Sequence, residues 1–272
     1  MNKTNRKIES ILFFLNILLI ILIYPSSVQA LQSHEASYQI SLNKAKKKTN
    51  IIDVKGKSIY RLQSQCHGWE TKEDFSIVFF FSNGDFTKIE NIFETFETYD
   101  GKSFQFYLYE KVDDIEKENF YGFANLLEEK RKSELVFISD KEKNINISNT
   151  VNFPINHLKK LIYEAKQNNK IYQSQIFLGS ELNVGEKIIT AIIGLPKKSK
   201  KIFKKINLIE ENYWPINLAY FNPKSEKNEP EFNIYADLQE NGLITEFRID
   251  YEEFSIRLDL KNVNEVQAKK CN

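Results

Sequence analysis

The stretch FSIVFFF, Phe75 to Phe81, decides the fold, because Asn83-Gly84-Asp85 follows it almost at once. Seven residues, six of them aromatic or β-branched, make a strand too short and too apolar for a surface helix, and Asn-Gly is a strong hairpin signal. The chain returns through Phe86 to Phe96 and meets a second turn at Tyr99-Asp100-Gly101-Lys102. Beyond it, Phe104, Phe106 and Leu108 share one face of a strand, with Gln105, Tyr107 and Tyr109 on the other. The same period of two runs through Tyr38 to Leu42 near the start. Near the end, Phe232 to Leu238 runs into Glu240-Asn241-Gly242, returns as Ile244 to Tyr251, and is followed by Phe254 to Leu258. Short strands joined by tight turns make an antiparallel meander, not a parallel α/β sheet.

One segment departs from that period. After Phe153-Pro154, residues Leu158, Leu161, Ile162 and Ala165 recur at helical spacing, with Pro154 where a first turn tolerates it. The spacing predicts an amphipathic helix over 154–168. Such a helix is about 22 Å long and offers one apolar stripe, so it covers only part of a large sheet. The remaining apolar faces must be buried by the sheet curling on itself, which leaves a concave apolar interior. Ile115 to Arg131 fits either a strand or a helix. No internal repeat, linker or composition shift marks a second domain. The fold expected is therefore mainly β: one large curved antiparallel sheet around one amphipathic helix.

The first thirty residues have their own grammar. Lys3, Arg6 and Lys7 precede an apolar run from Ile11 to Tyr24, Pro25 breaks it, and Val28-Gln29-Ala30 supplies small residues for a cleavage site. Fourteen apolar residues fall short of the ~20 that cross a bilayer. The chain is thus expected to carry a secretory signal peptide over 1–30 and one domain over 31–272, with no membrane span after cleavage. The leader takes three of the 38 basic and one of the 37 acidic residues, leaving 35 against 36. A nearly neutral chain gives no reason to propose nucleic acid as a partner.

The stretch SQCHGWE, residues 64–70, holds one of two cysteines; the other is Cys271. A catalytic Cys–His pair needs the imidazole beside the thiol, but neighbours on an extended strand point to opposite faces. Zinc needs three or four ligands at characteristic spacings, and His34, His67 and His157 share no motif with either cysteine. An exported chain with two cysteines fits a Cys66–Cys271 disulfide, which would tie the C-terminus back to the body. No metal site, cofactor or catalytic residue is expected, because the common nucleophile, phosphate and metal motifs are absent. Lys197-Lys198-Ser199-Lys200-Lys201, with Lys204 and Lys205, is read as a solvated loop between strands. The 21 Phe and 13 Tyr are core and strand-pair material that would equally suit an apolar groove.

Several stretches, taken in order, resemble one family. They are Ser33 to Tyr38 with Ser41-Leu42, Asp53 to Gly56 leading to Cys66-His67-Gly68-Trp69, and Tyr99 to Phe104. Phe153-Pro154 with His157-Leu158, Trp214-Pro215-Ile216 with Tyr220-Phe221, and Glu240 through Tyr251 follow. Together they are similar to the EipB family of periplasmic cell-envelope integrity proteins, long known only as a domain of unknown function. The resemblance implies a β-sheet wound into an open, barrel-like spiral around a helix, with a disulfide where Cys66 and Cys271 fall. It also implies a broad likeness to periplasmic lipoprotein carriers and a role in maintaining the envelope, with no catalytic residues established. Lys197–Lys205 and Ile115–Arg131 depart from the family pattern.

The function expected is a non-catalytic periplasmic protein that supports envelope integrity through an envelope protein, lipid or lipoprotein partner, acting as a monomer. The alternative is a carrier that holds lipid or a lipoprotein acyl chain in an apolar groove. An envelope hydrolase ranks third, with no motif behind it.

Overall fold

The computed structural model describes residues 31–127, 133–138, 143–182, 185–200, 208–225, 229–269 and 271. The expected leader, Glu128–Arg131 of the ambiguous segment and Lys201–Lys205 of the basic run lie outside the described residues. Among the described residues, fifteen strands and one helix follow in order: β1 His34–Ala45, β2 Ile51–Ser64, β3 Gly68–Phe81, β4 Phe86–Thr98, β5 Ser103–Val112, β6 Ile115–Asn125, β7 Ser133–Ile138 and β8 Lys143–Ile147. Helix α1, Pro154–Lys166, leads into β9 Ile171–Ile176, β10 Lys187–Ile193, β11 Lys197–Lys198, β12 Asn212–Phe221, β13 Phe232–Leu238, β14 Ile244–Asp250 and β15 Phe254–Glu265.

All but β11 line up in one antiparallel path. Its order is β8 back to β1, then β15, β14, β13, β12, β10 and β9, with β11 paired to β12 alongside. The first and last strands therefore meet in the middle, and β8 and β9 are the two ends. The segment joining those ends carries the helix. Just before it, Asn152 forms an isolated parallel bridge with Ile176: its N–H donates to the Gln175 carbonyl and its carbonyl accepts from Phe177. The sheet is not closed into a barrel, but its winding brings the ends to one seam, which the helix spans.

Turn chemistry explains where the strands stop. Gly84 and Gly242 hold φ values of 91° and 88°, which side chains rarely adopt, so the two Asn-Gly turns form as expected. Between β5 and β6 the left-handed pair is instead Asp113 (51°) and Asp114 (63°). Aspartate tolerates that region, so Ile115–Asn125 becomes a strand without a glycine to announce it. The basic run departs from expectation as well. Lys197 and Lys198 pair with Tyr213 and Asn212 as β11, and Lys198 and Lys200 form ion pairs with Glu211 and Glu246. Carboxylates on neighbouring segments recruit these lysines, so the start of the run is not a free loop.

Cover for the inner face comes from two sources. The helix buries Ile155, His157, Leu161, Ile162 and Ala165 against Leu62, Trp69, Ala191, Ile193, Ile216 and Leu238. On β5–β7, Phe104, Phe106, Phe120 and Phe137 pack with Phe153 and Phe177 from the seam. Ring centroids there lie 5.1–6.4 Å apart in stacked and edge-on pairs, the spacing of favourable aromatic contacts.

Candidate functional site

Both cysteines sit at the helix-covered end of the wound sheet. Cys66, in the turn from β2 to β3, is disulfide-bonded to Cys271, with Cα atoms 5.4 Å apart. The Lys269 N–H also donates to the Ser64 carbonyl, so the terminal segment lies along the same turn. His67 beside the bridge is exposed. Nothing brings an imidazole to this sulfur as a base, because the sulfur is already bonded. Among the described residues no group of three or more His, Cys, Asp or Glu side chains is placed to hold a metal ion.

The helix start exposes what the sequence hid. Phe153, at the N-cap, supplies no side-chain acceptor. Glu97, reaching in from β4, takes that role: Oε2 accepts from the Ile155 N–H and Oε1 from the Asn156 N–H, each at 2.7 Å. Glu97 is 1% exposed. Burial pushes its carboxyl up to about 7, against the two N–H donors and Lys159, which pull it down. A carboxylate at a helix N-terminus meets both the orphan donors and the positive end of the dipole. Lys159 lies 5.9 Å from the Trp69 and Tyr99 ring centroids, which closes the same corner.

A second buried pair involves His157. Its Nδ1 is 3.0 Å from Ser174 Oγ, its ring stacks on Tyr172, and Nε2 is buried with no hydrogen-bond partner among the described residues. Burial, then Lys160, lowers its pKa to about 4. The imidazole is therefore neutral near pH 7. A serine–histidine hydrolase needs an acid on the far nitrogen to orient and charge the ring, and here that nitrogen is bare. The geometry anchors the helix to β9.

Away from the helix, the interior changes character. Cross-strand register lines up Tyr38, Ser58, Phe75, Asn91 and Glu110 in one inward row. Ala36, Tyr60, Glu73, Phe93 and Leu108 form the next. Tyr60, Phe75 and Phe93 are only half-buried although they face inward, as are Phe247 and Ile249 across the interior. Glu73, on the same inward face, is only half-buried and keeps some accessible surface. The Ser58 hydroxyl donates to its carboxylate at 3.0 Å, while burial pushes the carboxyl up. Tyr38 Oη donates to the Ile244 carbonyl at 2.7 Å. An apolar lining with a few fixed polar groups is the ordinary makeup of a small-molecule site. Sequence reasoning anticipated the concave interior but missed Ser58, Glu73 and Glu97, since polar residues on an inward face interrupt the alternation that would reveal them.

Comparison with known proteins gives this arrangement a setting. The EipB-like family model matches residues 25–267. The cell envelope integrity protein EipB of Brucella abortus (strain 2308) is 28% identical over 238 residues, which covers 85% of this chain and 83% of the relative. A crystal structure of a beta-barrel-like protein of the domain of unknown function DUF1849, also from Brucella abortus, superimposes with a TM-score of 0.82. It is 26% identical, and the match covers 88% of this chain and 99% of that one.

Proposed function

This chain belongs to the EipB-like family, and from that premise we propose that it supports cell-envelope integrity from the periplasm, through an envelope partner and without chemistry of its own. The observation that carries the reading is the match to a cell envelope integrity protein along most of both chains. Residues 1–30 would be the leader that exports it, and residues 31–272 the single working domain. Export also suits the disulfide, which persists in oxidising compartments. Complementation of a strain lacking the protein, under detergent stress, tests the reading. His67→Ala should rescue like the wild type, and loss of rescue in a folded, oxidised variant would return a catalytic role. Intact mass of the mature protein should begin at Leu31.

The half-buried inward aromatics favour a second reading, in which the interior carries lipid or a lipoprotein acyl chain. Long apolar side chains around one polar station, Glu73 with Ser58, suit an alkyl chain bearing a polar head. Mass spectrometry of protein purified from envelope extracts should then find lipid, and Phe75→Ser should release it.

A further inference from the structure

The outer face of the sheet carries a separate groove of about 500 Å³ across β10 and β12–β15. Register sets its floor. Ile192 lies opposite Asn217, Asn217 opposite Tyr235, Tyr235 opposite Arg248, and Arg248 opposite Arg257. Neighbouring strands are about 4.8 Å apart, so the row runs roughly 19 Å across the strands. Asp237 and Glu246 line the same groove.

Its basic side chains are already matched. Arg248 Nε donates to Asp250 at 2.8 Å, Arg257 Nε donates to Asp259 at 3.0 Å, and Lys200 pairs with Glu246. Such a lining selects no ion. Apart from Asp237, what it offers is neutral. The Arg248 guanidinium covers one face of the Tyr235 ring, 3.9 Å from its centroid, and fixes the ring in place. The Asn217 side chain points a buried Oδ1 that has no hydrogen-bond partner among the described residues. A buried acceptor left bare costs about 1–3 kcal/mol, which turning the Asn217 amide toward a donor in the groove would recover. Burial and the neighbouring Glu246 push Asp237 up to about 6, so a further oxygen station sits beside the ring.

A flat molecule with apolar C–H faces and hydroxyl or amide edges fits an aromatic ring set among internally paired charges. We propose that this groove binds a β-linked, hydroxyl- and amide-bearing glycan. The strand spacing places one sugar ring over each strand, the Tyr235 face turned away from Arg248 stacks against a sugar, and the Asn217 amide turns so that its Oδ1 accepts an N–H or O–H. The inference is independent of the interior carrier reading and uses none of its residues.

Titration of chitotriose, and of cellotriose as the partner lacking acetamides, into the folded protein tests it by side-chain amide and backbone NMR. Saturable shifts confined to Asn217, Tyr235 and Arg248 are expected, with chitotriose the tighter ligand. Tyr235→Ala should weaken binding about tenfold or more, the loss of one stacking contact, while Phe75→Ala leaves it unchanged. The proposal is overturned if neither sugar saturates, if the shifts fall outside the groove, or if Tyr235→Ala binds as the wild type does. Should that variant not fold, the wild-type shift map decides alone.

Discussion

Phenylalanines face inward in two parts of this sheet and meet different fates. On β5–β7, Phe104, Phe106, Phe120 and Phe137 are 0–3% exposed and interlock with rings from the seam. On β3 and β14, Phe75, Phe79 and Phe247 lie on the same inner face but stay half-buried. Residue type and facing are equal, so the difference lies in what stands opposite. The first set meets the chain that closes the seam. The second set packs only partly against its neighbours, beside Tyr60 and Glu73, which also keep accessible surface. One half of the interior is therefore tightly filled, and the other is not.

The largest expected effect tests the packed half. Phe137→Ala should cost about 3–5 kcal/mol, because neighbouring rings cannot collapse into the void, and denaturant unfolding measures it. A loss below 1 kcal/mol would mean that the two halves do not differ. Next comes the bridge at the helix-covered end. Cys66→Ser should cost roughly 2–4 kcal/mol, read as a lowered melting temperature that reducing agent reproduces in the wild type.

Glu97 sharpens the comparison through pH. Its folded pKa, about 7, lies above the ordinary value of 4.5, so the folded state holds the proton more tightly. Its contribution is fully present below about pH 4.5 and is lost as pH rises to 7, a change on the order of 3 kcal/mol. His157 runs the other way: with its pKa lowered to about 4, it contributes above pH 6.5 and loses that as pH falls to 4. Glu97→Gln should therefore remove the falling limb and leave the histidine limb, seen as a stability that only rises between pH 4.5 and 7. The smallest effect belongs to the open half. Phe75→Ala should cost about 1 kcal/mol, since much of its surface is never removed from water, and should reduce thermal stabilisation by added long-chain alkyl detergent below its micelle concentration. A cost equal to that of Phe137→Ala would show the open half to be packed after all.

How much of this was legible depended on which face carried the signal. Where inward positions are uniformly apolar, as at Phe104-Phe106-Leu108 or Phe75-Ile77-Phe79, period two gave the strands directly. β2 and the first half of β3 were harder, because Ser58, Thr71 and Glu73 put polar groups on the inner face and blur the alternation. The β5–β6 turn was silent because Asp113 and Asp114 do a glycine's work. Glu97 could not be assigned from sequence, since the helix it caps begins at Pro154, far along the chain. The outer groove was equally hidden: its floor takes one residue from each of five strands, and only the register brings them into a row.

The meeting of β1 with β15 has a consequence for how the molecule comes into being. Tyr38 and Ile244 are 206 residues apart in sequence yet share a hydrogen bond, and the disulfide closes over a separation of 205. Contacts this distant carry a heavy loop-closure cost and slow folding. During synthesis β1 can pair with β2 early, but its other edge stays bare until the last strand arrives. A chain halted anywhere before β15 presents that bare edge as a template for another molecule. Completion is thus an all-or-nothing event at the final strand.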